Sequence, residues 1–236
     1  MIFIRAFTRL AFGILFAALP LVFQGQSAQA RPDDLMPSLT SPYAAIVIDA
    51  RTGAELYSTR PDKTVPPTAL FKMLTLYVAF QALESGQVTP DTMVRVSPNA
   101  AHQPPPRLGL LAGQDIALRN LIRATAVKSA NDATLALAET IAGSEAAFVA
   151  RMRETAQNLG LTNTQIASVT GVGTQKDVTS PRDMAVLGRH LLYDFPAQFH
   201  LFSAPRANAG VKMINASTRR LLTSYAGAEG IKSGYS

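Results

Sequence analysis

The fold is decided at Pro66-Pro67-Thr68-Ala69-Leu70-Phe71-Lys72-Met73. This stretch reads as the start of a helix, with Thr68 as its N-cap and Lys72 in the first turn. Helical periodicity runs from Ala69 to Ser85, with apolar side chains at Leu70, Met73, Leu74, Tyr77, Val78 and Leu83, and Gly86 is the expected stop.

Upstream, Tyr43 to Asp49 is a β-rich run, Ala50-Arg51-Thr52-Gly53 a turn, and Glu55 to Thr59 a returning strand. Together they predict a hairpin. Downstream, Met93 to Val96 fits a short strand. Gln103 to Gly109, with three consecutive prolines, must be loop. Leu118 to Val127 carries a second helical pattern. Asn131 or Asp132 caps a third, Ala133 to Ala142, closed by Gly143. Ser144 caps a fourth that ends at Gly160. Ser180, Pro181 and Asp183 supply cap, first-position proline and first-turn acid for a helix that stops before Pro196. Ile231 to Tyr235 predicts a strand. The order hairpin, helical middle, strand gives an α+β class in which helices pack on an antiparallel sheet. Further strands are expected after Lys232, so the sheet is expected to be incomplete at Ser236.

The chain has 236 residues, 47% hydrophobic and 16% charged, enough for one globular domain with a sizeable core. Residues 1–30 read as a secretory signal peptide. Arg5 and Arg9 form a basic start, Leu10 to Phe23 is an uncharged apolar run, and Ala28-Gln29-Ala30 is a small-residue cleavage signal. The mature domain is therefore 31–236, opening on a Pro-interrupted leader (Arg31 to Ser41), and is expected to be exported to the periplasm. Membrane contact is expected only through the signal before cleavage. The absence of cysteine excludes disulfide and thiol chemistry. Of 22 basic residues, 20 remain after Arg5 and Arg9 are removed, against 16 acidic, a net charge of +4. No basic block or aromatic–basic interleaving points to nucleic acid. His102, His190 and His200 are scattered and none has metal-ligand spacing; with no Gly-rich phosphate loop, neither metal nor cofactor is expected. Met73, Met152 and Met184 lie on helical patterns and read as core.

Two later stretches look built to face Lys72: Lys128-Ser129-Ala130-Asn131 and Lys232-Ser233-Gly234. A lysine one helical turn after a hydroxyl residue shares its face and can take its proton if burial lowers the lysine's pKa. Free N–H groups at the helix start can bind an oxyanion. With Ala69 three residues before Lys72, Ser129 60 residues later and Lys232 103 beyond that, the set resembles the S-x-x-K, S-x-N and K-[ST]-G elements of the penicillin-recognising serine enzymes. Order and gaps are similar to the D-alanyl-D-alanine carboxypeptidases, the low-molecular-mass penicillin-binding proteins. So are Ala45 to Ala50 with Thr52-Gly53, Gln103-Pro104-Pro105 with Leu108-Gly109-Leu110, and Glu229-Gly230-Ile231. The resemblance covers about Ser41 to the end.

The resemblance implies a β-lactamase/DD-peptidase-like (transpeptidase-like) fold, an antiparallel sheet with a helical subdomain, truncated after the K-S-G strand. It implies that Ser129 relays a proton to the leaving amine and that Asn131 hydrogen-bonds Lys72 and the substrate amide. It implies that Lys232 and Ser233 bind the terminal carboxylate, that Gly234 lets the substrate approach, and that the Tyr235 amide completes the oxyanion hole. Peptidoglycan stem peptides and β-lactams are the implied partners. Ala69 departs from the pattern, because it stands where the nucleophilic serine belongs. Three readings follow: a serine-type D-Ala-D-Ala carboxypeptidase homologue with weak or no catalysis, a degenerate binding protein or truncated gene product, and a serine β-lactamase-like hydrolase. The S-A-N version of the second element and the lack of a Glu-x-x-Leu-Asn element count against the last. Thr68 offers a displaced hydroxyl four residues before Lys72, but one residue rotates a side chain by about 100° around the helix.

Overall fold

Helix α1 (Phe71–Glu84), preceded by a 3-10 turn (Thr68–Leu70), is the axis on which the other helices pack. The structure, a computed structural model, describes residues 43–232. Eleven of the fourteen α1 residues are buried, nine of them apolar and the other two Lys72 and Thr75, so the helix is buried nearly all round rather than on one stripe. Such a helix belongs in the centre of a domain. Phe71, Leu76, Ala79 and Phe80 fill the faces between the periodic positions and are completely buried; side chains of the size of Phe71, Leu76 and Phe80 contribute roughly 1.5–3 kcal/mol each. Met73, Met152 and Met184 are core residues as well.

Around α1 lie α4 (Asn131–Ala142), α5 (Glu145–Asn158) and α6 (Pro181–Asp194). Their starts follow local chemistry. Ser144 Oγ accepts from the Ala147 amide at 3.2 Å and Ser180 Oγ from the Asp183 amide at 3.1 Å, each satisfying a first-turn donor. Gly143 ends α4 with φ +79°. The expected second helix is shorter than its pattern. After α3 (Leu118–Arg123) the chain widens into a π-helical turn (Ala124–Lys128), and Ser129 then takes the left-handed conformation, φ 63° and ψ 34°. The expected cap of α4 is also different: the helix starts at Asn131 itself and Ala130 precedes it with no side-chain cap bond. Three short helices, α2 (Pro98–Ala101), α7 (Pro196–Ser203) and α8 (Arg219–Ser224), escape a periodicity argument because at eight residues or fewer they hold too few repeats.

Strands β1 (Ala45–Ile48) and β2 (Glu55–Thr59) form the expected antiparallel hairpin. Its turn is fixed by Asp49, whose carboxylate accepts from the Thr52 amide at 2.7 Å and its hydroxyl at 2.9 Å. Strand β3 (Met93–Arg95) pairs with β4 (Asp115–Ala117), and β5 (Arg206–Asn208) with β6 (Met213–Asn215). The described residues therefore mix helices with three separate two-stranded ladders rather than one sheet. Ile231 and Lys232 are not in a strand. The signal segment 1–30, the leader, and Ser233, Gly234 and Tyr235 lie outside the described residues.

Candidate active site

The 3-10 turn ahead of α1 opens onto a cavity of about 690 Å³. Thr68, Ala69 and Lys72 line one wall, Lys128 and Ser129 a second, Pro105 and Pro106 a third, and Gly171, Val172 and Gly173 a fourth, with Ser217 at the edge. Residues far apart in sequence that the motif spacing assigns to one site, Ala69, Lys72 and Ser129, thus share one wall system.

Lys72 is completely buried on the central helix. Its ammonium donates to the Thr170 carbonyl at 3.1 Å, and no carboxylate pairs with it among the described residues. Burial pushes its pKa from 10.5 down to about 8, because the charged form loses hydration that one carbonyl cannot replace. An amine whose pKa lies this close to ambient pH has a neutral fraction that can accept a proton. What stands beside it is the Ala69 methyl group, 7% exposed; residue 69 supplies no hydroxyl.

Ser129 follows from the π-helical turn. The left-handed conformation, unusual for a residue with a side chain, carries it onto the cavity wall, where its hydroxyl is buried with no hydrogen-bond partner among the described residues. Buried polar atoms are nearly always paired, so an orphan hydroxyl on a residue that lines a cavity is an unmet hydrogen-bonding capacity at that wall.

Asn131 does not make the bond to Lys72 that the family resemblance implies. Its Nδ2 donates to the carbonyls of Pro104 at 2.8 Å and Pro105 at 3.2 Å, and its Oδ1 is buried without a partner among the described residues. Asp132 next to it accepts from the amides of Leu108, Gly109 and Leu110 at 2.8, 2.8 and 3.0 Å. Neither residue caps the helix as expected. Both instead clamp the proline-rich loop to the start of α4, and that loop forms the third cavity wall. The sequence signal for this was the proline run itself, whose carbonyls outnumber its amide donors.

Lys232 is not on the cavity wall. Its ammonium donates to the carbonyls of Thr125 and Ala126 at 2.6 and 2.9 Å, inside the π-helical turn. Burial, reinforced by the charge of Lys72, holds its pKa well below the ordinary lysine value. Ser233, which the resemblance pairs with the substrate carboxylate, Gly234, which it places at the substrate's approach, and Tyr235, whose amide it gives to the oxyanion hole, lie outside the described residues.

Thr68 does not cap the helix either. The 3-10 turn and α1 show no side-chain cap bond, and Thr68 sits at φ +46°, a strained value for a β-branched residue. Its carbonyl abuts Gly171, where a Cβ would lie 2.0 Å from the Thr68 oxygen. Glycine at 171, at φ +71°, is what lets the fourth wall close on the turn. That wall is held from behind by Asp177, which accepts from the Ser168 amide at 3.1 Å and its hydroxyl at 2.5 Å. Thr170 and Gly171 to Gly173 had no part in the motif argument; the paired glycines between polar residues were the one compositional hint. The histidines stay apart: His190 meets Asp194 at 2.9 Å, while His102 and His200 meet backbone carbonyls of their own helices.

Comparison with known proteins gives a consistent picture. The family model for D-alanyl-D-alanine carboxypeptidases matches residues 32–236. The chain is 32% identical over 195 residues to the D-alanyl-D-alanine carboxypeptidase DacF of Bacillus subtilis, covering 81% of this chain and 50% of that protein. Among solved structures, penicillin binding protein 5 from Haemophilus influenzae superposes with a TM-score of 0.78 at 29% identity, over 84% of this chain and 59% of that one. Penicillin-Binding Protein D2 from Listeria monocytogenes, solved with ampicillin bound, superposes with a TM-score of 0.70 at 25% identity, over 82% of this chain and 78% of that one. The chain spans about half the length of the curated relatives it matches.

Proposed function

Because the chain belongs to the D-alanyl-D-alanine carboxypeptidase family, we propose that it recognises the D-Ala-D-Ala end of peptidoglycan stem peptides, and β-lactams at the same cavity, without forming a serine acyl-enzyme. The observation that carries this reading is the Ala69 methyl on the cavity wall beside a buried Lys72 of lowered pKa. The base is in place and its hydroxyl partner is not. The Ser129 hydroxyl and the cavity volume supply the means to hold a ligand, and the relative crystallised with ampicillin supports β-lactams as ligands. Within this reading Lys72 and Ser129 face the bound acyl group, Asn131 holds the loop beside it, and Ser233 and the Tyr235 amide contribute polar contacts. The reading includes export: residues 1–30 act as a cleaved signal, and the mature chain works in the periplasm, where stem peptides are found.

The test uses fluorescent penicillin on the folded chain. Reversible binding by anisotropy, with no label surviving denaturing electrophoresis, is expected. Covalent, slowly released label would mean a working serine-type peptidase through another hydroxyl. Fast turnover would mean a β-lactamase, and no binding at all would overturn the reading. N-terminal sequencing of the periplasmic fraction is expected to start at Arg31.

A further inference from the structure

The lysines on the cavity wall and behind it are unequally occupied. Lys72 is drawn to the Thr170 carbonyl and Lys232 to those of Thr125 and Ala126. Lys128, half-buried on the wall beside Ser129, has no hydrogen bond or ion pair among the described residues. Among the described residues no acidic side chain lines the cavity, and Pro105, Pro106 and Val172 on its walls are weakly polar. A charge in such a setting is screened less than one on open surface and attracts an anion more strongly. The cavity volume of about 690 Å³ also exceeds what a D-Ala-D-Ala dipeptide fills and leaves room for the residue before that end.

We propose that Lys128 sets the charge preference of the site: it favours stem peptides whose residue preceding D-Ala-D-Ala bears a free side-chain carboxylate over those in which that group is neutral or cationic. The inference rests on the stem-peptide reading above. It differs from recognition of the terminal carboxylate, which every such peptide carries.

The experiment compares N-acetyl-glutamyl-D-alanyl-D-alanine with its glutaminyl isostere by calorimetric titration of the full chain at low salt. The terminal carboxylate is common to both and cancels. The glutamyl peptide is expected to bind about three- to tenfold more tightly, the range of a partly screened ion pair. The preference is expected to fall close to one in Lys128→Met, to persist in Lys128→Arg, and to narrow as salt is added. Equal affinity for the two peptides overturns the inference and leaves the binding reading intact, and this comparison on the unmodified chain needs no variant to fold. A preference unchanged in folded Lys128→Met also overturns it. Failure of both peptides to bind overturns the stem-peptide reading and the inference with it.

Discussion

Ala69→Ser is the most informative single change. It adds one oxygen to a side chain that is 7% exposed and faces the cavity, three residues before Lys72 in a turn where such positions lie over one another. Loss of a nucleophilic serine from a hydrolase costs on the order of a millionfold in rate, so its return should move the chain from no covalent product to stoichiometric labelling by penicillin. The buried Lys72 amine then sets the pH profile. With a pKa of about 8, about one Lys72 in ten is neutral at pH 7 and about one in a hundred at pH 6. The labelling rate should therefore climb roughly tenfold per unit up to pH 7, pass half its maximum near pH 8, and level off above pH 9. An added hydroxyl left unpaired in a buried site would cost about 1–3 kcal/mol. If Lys72 accepts its proton, the melting temperature should fall by less than that cost implies. The assay is time-resolved label incorporation with mass mapping of the adduct. A folded Ala69→Ser variant that binds penicillin reversibly but never labels would refute the reasoning, because the site would then lack more than a hydroxyl. Labelling independent of pH between 6 and 9 would refute the role given to Lys72.

Three further outcomes are expected. Lys72→Met should stabilise the fold by about 2 kcal/mol at pH 7: the depressed value represents about 3 kcal/mol of burial cost, less about 1 for the lost bond to Thr170. Folding lowers this base from 10.5 to about 8, so the folded chain binds fewer protons between those values and the cost is fully present below pH 8. The gain in Lys72→Met should therefore fade as pH rises to about 10.5, measured by urea unfolding across the range. Asp132→Ala leaves three loop amides without their acceptor and should cost about 3–5 kcal/mol, with increased amide exchange at Leu108 and Leu110. Gly171→Ala forces a Cβ to within 2.0 Å of the Thr68 oxygen at a positive φ. It should cost about 3 kcal/mol and displace the Ala69 turn, seen as loss of reversible penicillin binding along with the lowered melting temperature.

Sequence alone determined what depends on residues within a few positions of one another. The β1–β2 hairpin with its Asp49–Thr52 turn, the Ser144 and Ser180 caps, and the glycine at the end of α4 are set by local hydrogen bonds that leave a signature at fixed offsets. The identity of α1 was legible from its apolar pattern, and the three motif stretches were legible as a family resemblance. Tertiary structure decided the rest. Lys72 takes its carbonyl partner 98 positions away and Lys232 its partner 107 away, and no periodicity encodes such a pairing. Asn131 and Asp132 look like cap residues in sequence. They become loop clamps because the proline-rich segment is folded against them: its carbonyls, short of amide partners, take the Asn131 side-chain amide, and the amides that follow at Leu108, Gly109 and Leu110 take the Asp132 carboxylate. Thr68 looks like a cap and is instead a strained turn residue, because Gly171 from a distant loop occupies the space behind it. The sequence shows an alanine ahead of a lysine. That the lysine is buried with no carboxylate beside it among the described residues, and that its pKa is lowered by burial, follows only from the packing around it.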